Sequence, residues 1–156
     1  MTATANKSNE IRLNRIYDAP VKMVWDAWTT DQVGQWWGPR GFTITTHSKD
    51  LRVGGMWHYT MHGPDGTDYP NLQQYEEVSP PSRLVYSHGS PEEPAMFHVT
   101  VTFDDEGGKT RITLRSLFPR AEGLQAVMKY GAIEGGQNTL DRFAAHLATP
   151  ALVASS

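Results

Sequence analysis

Residues 120–148, RAEGLQAVMKYGAIEGGQNTLDRFAAHLA, constrain the fold more than any other stretch of the chain. Leu124, Val127, Met128, Ile133, Leu140, Phe143, Ala144 and Leu147 recur at three- and four-residue steps, the spacing of one helical face. Pro119 precedes the stretch and Pro150 follows it, positions where proline is tolerated or favoured. Gly131, Gly135 and Gly136 interrupt that face, although a glycine costs about 1 kcal/mol relative to alanine inside a helix. Two explanations stand. Either a neighbour must approach the backbone, or a space beside it must stay open; or the stretch kinks or breaks into two shorter helices. In each case an apolar face this wide must be buried against a second layer, which the rest of the chain has to supply.

That layer reads as strands. Glu10–Tyr17 alternates, with Ile11 and Leu13 set against Arg12 and Asn14, and stops before Asp18-Ala19-Pro20. Asp18 stands where it can cap a helix over 21–28, with Pro20 in the first turn and Val21, Val24, Trp25 and Trp28 on one side. Thr30 or Asp31 can cap a second short helix through Trp37, which Gly38-Pro39 ends. Beyond it, Gly54-Gly55, Pro64-Asp65-Gly66, Pro80-Pro81 and Asp105-Glu106-Gly107-Gly108 punctuate runs rich in Thr, Val, Tyr, Trp and Phe. These runs predict strands at 42–52, 56–62, 67–78, 83–89, 96–104 and 109–117. Most of the links are hairpin-length, which calls for antiparallel pairing. The expected class is α+β: a curved, seven-stranded antiparallel sheet wrapped around a long C-terminal helix, with two short helices after the first strand. A single domain over 10–148 with flexible tails at 1–9 and 149–156 follows.

Composition removes several function classes. The 156 residues include no cysteine, so disulfides, thiolate nucleophiles and cysteine-held metal clusters are excluded. The net charge is −3 and Lys and Arg form no run, so no nucleic-acid partner is expected. No apolar run reaches membrane-spanning length and the first residues lack the blocks of a signal peptide; no membrane partner and a cytoplasmic location are the expectation.

A series of short motifs runs through the chain in order. It begins with Arg15-x-x-x-Ala19-Pro20, Val24-Trp25-x-Ala27-Trp28-Thr29 and Trp36-Trp37-Gly38-Pro39. Asp50-x-Arg52-x-Gly54-Gly55, Gly63-Pro64-Asp65-Gly66, Pro80-Pro81-x-Arg83-Leu84-Val85 and Leu140-x-x-Phe143-x-x-x-Leu147 complete it. Together they resemble the bacterial family named after the activator of the 90-kDa heat-shock protein ATPase, within the START-like (SRPBCC) superfamily. The resemblance spans about residues 10–148 and implies a helix-grip fold with an internal apolar cavity. For function it implies only a range: lipid and hormone carriers, polyketide cyclases, self-resistance proteins and chaperone activators. Fold analogy does not fix chemistry. The chain also departs from the family pattern. Gly135-Gly136 stands where Gly-Trp is common, which should enlarge the space beside the helix; Gln74, Glu76 and His47 replace residues that are commonly apolar.

Alternation assigns faces. Trp57, Tyr59 and Met61 share one side of their strand, which should face the helix, and His58, Thr60 and His62 the other. Leu72, Gln74, Glu76 and Val78 share a face whose ends are apolar, so Gln74 and Glu76 are expected to point inward. A carboxyl in such a place would favour its protonated form and be a candidate acid or base. A bulge would reverse that parity and set Glu76 outward. Leu84, Tyr86 and His88 share the next face, and Phe97, Val99, Val101, Phe103, Ile112 and Leu114 read as inner packing. His88 stands near its strand end, where a solvated histidine is the simpler state.

His58-x-x-x-His62 on a strand sets two imidazoles roughly 13 Å apart, so no metal site is expected. The candidate ligand-binding residues are thus Trp37, His47, Trp57, Tyr59, Met61, Gln74, Glu76, Tyr86, His88, Phe97, Met128, Gly135 and Gly136. No cofactor is called for and no catalytic residue is assigned. The partner is expected to be a medium-sized hydrophobic or ring-bearing molecule. The alternatives are a cyclase- or lyase-type enzyme using Glu76 and His88, and a co-chaperone-like interaction domain for which only the family resemblance speaks.

Overall fold

The structure, a computed structural model, describes residues 9–93, 95–129 and 131–148. The expected tails, apart from Asn9, and the stop at Pro150 lie outside them. Strand β1 (Glu10–Tyr17) is followed by helix α1 (Val21–Thr29) and a 3₁₀ turn (Asp31–Gln35). Then come β2 (Thr43–Lys49), β3 (Met56–His62), β4 (Asp68–Ser79), β5 (Arg83–Gly89), β6 (Phe97–Glu106) and β7 (Lys109–Leu117). Helices α2 (Ala121–Lys129) and α3 (Ala132–Leu147) close the chain. The seven strands form one antiparallel sheet in the order β1-β7-β6-β5-β4-β3-β2. Five hairpins build the run from β2 to β7, and β1 closes on β7 with Leu13 opposite Leu114. This is the helix-grip arrangement, a curved sheet with a long C-terminal helix across it.

Local chemistry explains the helix boundaries. Asp18 does not cap α1; Pro20 occupies the cap position, and no side chain bonds there. Thr30 does cap the 3₁₀ turn, its hydroxyl accepting from the Gln32 amide at 3.3 Å. The C-terminal stretch is two helices rather than one. Gly131 takes φ +83°, a left-handed conformation that ordinary residues avoid, and α3 starts directly after it. The break redirects the apolar face: Leu124, Leu140, Phe143 and Leu147 are buried, whereas Met128 and Ile133 are exposed.

The core lies between α1, α3 and the inner sheet face, and is aromatic. Phe143 packs against Tyr17, Trp28 and Trp36 with ring centres 5.0, 5.1 and 4.4 Å apart. Polar contacts then fix α3 lengthwise. Tyr17 Oη donates to the Leu140 carbonyl at 2.9 Å, and Arg15 reaches both Asp141 and Gln137. Arg142 Nη1 donates to the carbonyls of Trp37, Gly38 and Pro39, tying the loop after the 3₁₀ turn to α3.

Two bulges decide which side chains face the helices. In β4 the register with β5 slips between Tyr75 and Glu77, leaving Glu76 as the extra residue. Ahead of the bulge Gln73 and Tyr75 are buried; beyond it Val78, opposite Leu84, packs on the core. Gln74 and Glu76 therefore lie on the outer face, which corrects the inward placement that simple alternation gives. The β2–β3 register slips in the same way between Thr46 and Ser48, and His47 is exposed.

Candidate functional site

A recess of about 260 Å³ lies where α2 meets α3, over the inner face of the sheet. Four strands each contribute two side chains to it: Ile11 and Leu13 from β1, Leu114 and Ser116 from β7, Phe97 and Val99 from β6, Tyr86 and His88 from β5. Each pair is two residues apart, so a pleated strand turns both the same way. Val127, Ala132, Gly136 and Thr139 line it from the helices, and Trp37 and Phe118 complete the wall. Gly136 makes the close approach possible: a Cβ there would stand 2.6 Å from Leu13 Cδ1. Gly135 faces Pro39 instead, and lies outside the recess.

The predicted residues separate into groups. Trp37, Tyr86, His88, Phe97 and Gly136 come together on the recess. Trp57 and Tyr59 are stacked on each other, 3.8 Å between ring centres, in the solid core farther along the sheet. Met61 packs partly buried beneath Gly38. His47, Gln74 and Glu76 are on the outer face, where His47 Nε2 lies 2.8 Å from Thr60 Oγ1 and Glu76 bonds His98 at 3.2 Å. Met128 is exposed on the far side of α2, and its neighbour Val127 takes the position expected for it. Glu76 and His88 thus stand on opposite faces of the sheet, so the acid/base pair is not assembled. Among the described residues no cluster of His, Asp and Glu is arranged to hold a metal ion. Nor is any helix long and apolar enough to cross a membrane.

Among the described residues no Asp, Glu, Lys or Arg lines the recess. Its polar groups are few: the Trp37 indole N–H, Tyr86, His88, the Ser116 hydroxyl and the Thr139 hydroxyl, which donates to the Gly135 carbonyl at 3.0 Å. Trp37 Nε1 donates to Tyr59 Oη in the core beyond, which also accepts from Gln73 Nε2, each at 3.1 Å. His88 Nε2 meets Asn71 Oδ1 at 3.0 Å, while Asn71 Nδ2 donates to the Tyr69 carbonyl. The amide is thereby oriented with its oxygen toward the ring, so Nε2 carries the proton and Nδ1 the lone pair. Burial pushes the His88 pKa down to about 4, and no carboxylate bonds the ring to oppose it. Burial likewise raises the Tyr86 phenol well above its ordinary value. Phe97 stacks between His88 and Phe118, with centres 5.0 and 4.6 Å away, giving one wall of near-parallel rings.

The state of His88 has a consequence for stability. The folded protein holds it neutral down to about pH 4, whereas the unfolded chain takes up the proton near pH 6.5. In that window the unfolded state binds more protons, so stability rises with pH. The contribution is complete above about pH 6.5 and is lost as the pH falls toward 4. It is on the order of 2 kcal/mol once the ring's partial exposure is allowed for. His88→Gln, which does not titrate, should flatten the pH dependence of urea unfolding by that amount; parallel curves would show that the ring protonates freely.

Comparison with known proteins agrees with this geometry. Residues 18–148 match the family model described as activator of Hsp90 ATPase homolog 1-like protein. Protein Ms6760 from Mycobacterium smegmatis is similar at 28% identity, covering 92% of this chain and 93% of its own, with a TM-score of 0.80. A protein from Arthrobacter aurescens, also 28% identical, covers 93% of this chain and 89% of its own at a TM-score of 0.84. NE0264 from Nitrosomonas europaea shares the fold at 23% identity and a TM-score of 0.81, over 90% of this chain and 94% of its own. No curated protein matches the chain.

Proposed function

Because this chain belongs to the activator of Hsp90 ATPase homolog 1-like family, whose fold is generally a ligand-binding one, we propose that it binds a small apolar molecule between its C-terminal helices and its sheet. The ligand is medium-sized, hydrophobic or ring-bearing. One observation carries the reading: an almost wholly apolar recess of about 260 Å³ lies against α3 where Gly136 contributes no side chain. Concave apolar sites with a few placed polar groups are the usual form of small-molecule sites, which begin at about 300 Å³. An apolar cavity of ~150 Å³ already takes one benzene ring, so one or two rings are the fitting size. With no charged side chain among the described residues of the wall, a charged ligand would lose its hydration without gaining a partner.

Titration with 1-naphthylamine, an uncharged two-ring probe whose emission shifts to the blue in apolar surroundings, tests the proposal. Saturable binding of one probe per chain, competed by a second uncharged aromatic, is the expected result. A linear, non-saturating rise would overturn it.

A further inference from the structure

We propose that the recess selects an uncharged one- or two-ring compound bearing a hydroxyl group, with Tyr86 and His88 as the residues that read that hydroxyl. The inference rests on the binding function proposed above and narrows it to a chemical class.

Tyr86 is 1% exposed and lines the recess, yet its hydroxyl has no hydrogen-bond partner among the described residues. Buried hydroxyls are nearly always paired, because an unpaired one has given up water for nothing. Tyr59, buried nearby, accepts from two donors; Tyr75, also buried, shares with Tyr86 the lack of a hydrogen-bond partner among the described residues but does not line the recess. A residue that lines the recess thus carries an unpaired donor and acceptor.

The second reader lies two residues along the same strand face. The rings of Tyr86 and His88 are 6.3 Å apart, and both line the recess. Asn71 occupies His88 Nε2–H, which leaves Nδ1 as a bare acceptor with no partner among the described residues. A ligand hydroxyl completes both groups together, accepting from Tyr86 Oη–H and donating to His88 Nδ1. A ketone or ether has no proton for His88, a hydrocarbon leaves both unpaired, and a carboxylate meets no cation on this wall. The stacked rings of His88, Phe97 and Phe118 offer a flat surface suited to an aromatic or saturated ring.

The test compares 2-naphthol, naphthalene and 2-naphthoate by calorimetry at pH 7.5, in the wild-type protein, Tyr86→Phe and His88→Leu. The wild type should bind 2-naphthol about tenfold more tightly than naphthalene, the worth of a well-placed hydrogen bond, and 2-naphthoate weakest. Tyr86→Phe should lower the naphthol-to-naphthalene ratio about threefold, one of the two bonds being lost, with no fall in Tm, since the lost hydroxyl bonds nothing in the free protein. His88→Leu should lower the same ratio independently, and serves should the tyrosine variant fold poorly. Equal affinities for naphthol and naphthalene in the wild type, or a preference surviving both substitutions, would overturn the selectivity and leave the binding function standing. Failure of both neutral probes to bind would overturn the two together.

Discussion

Replacing Gly136 by tryptophan is expected to abolish binding of uncharged aromatic probes, raising their Kd by about a hundredfold or more, without unfolding the protein. Gly136 is the point where α3 passes the recess, and its lack of a side chain lets Leu13 lie against the helix backbone there. An indole placed there takes up the space that a ring would occupy. Its Cβ would stand 2.6 Å from Leu13 Cδ1, but that atom is the end of a flexible side chain which itself borders the recess. Leu13 can therefore yield into the same space, and both movements reduce the room left for a ligand. Gly136→Ala should fall between the two, its stability within about 1 kcal/mol of wild type as helix propensity offsets the Leu13 shift. Val127→Trp fills the recess from α2 and should weaken binding in the same direction. Undiminished affinity in both tryptophan variants would show that the probe binds elsewhere.

Phe143→Ala should destabilise the fold by about 4 kcal/mol, lowering Tm by roughly 10 °C. The ring is fully buried and touches Tyr17 from β1, Trp28 from α1 and Trp36 from the turn after it, so three elements converge on it. These packed neighbours cannot all collapse into the gap, and a cavity remains. Met128→Ala and Ile133→Ala provide the contrast. They share the helical spacing of Phe143 in the sequence, but both side chains are exposed, and each change should stay within about 0.5 kcal/mol. A loss below about 1 kcal/mol for Phe143→Ala would mean that α3 is held chiefly by its polar contacts with Arg15, Tyr17 and Arg142.

The strands were legible because turn residues and period-2 alternation agree from Glu10 to Leu117, and the expected hairpins are all present. The apolar spacing of the last stretch likewise identified Leu140, Phe143 and Leu147 as the buried face of α3. What periodicity could not resolve was the single extra residue. Leu72 and Val78 framed Gln74 and Glu76 as inward, but the bulge at Glu76 shifts the parity between them, so Gln73 and Tyr75 are the buried pair. A bulge changes side-chain direction without changing composition, and so leaves little mark on a hydrophobic pattern.

The break at Gly131 acted in the same way on the helix. Once the axis is redirected, Val127 faces the recess in place of Met128, and Gly136 rather than Gly135 borders it. Of the anticipated polar contacts only His88 reaches the recess, and it does so beside Tyr86, whose free hydroxyl no sequence pattern distinguishes from an ordinary core phenol.

Intermolecular NOEs between bound 1-naphthylamine and the methyl groups of the protein test the account most directly. The probe protons should show cross-peaks to Leu13, Val99, Leu114 and Val127, whose methyls come from β1, β6, β7 and α2 and meet at this recess. Cross-peaks confined to exposed groups such as Val53 and Met56 on the outer surface would contradict it.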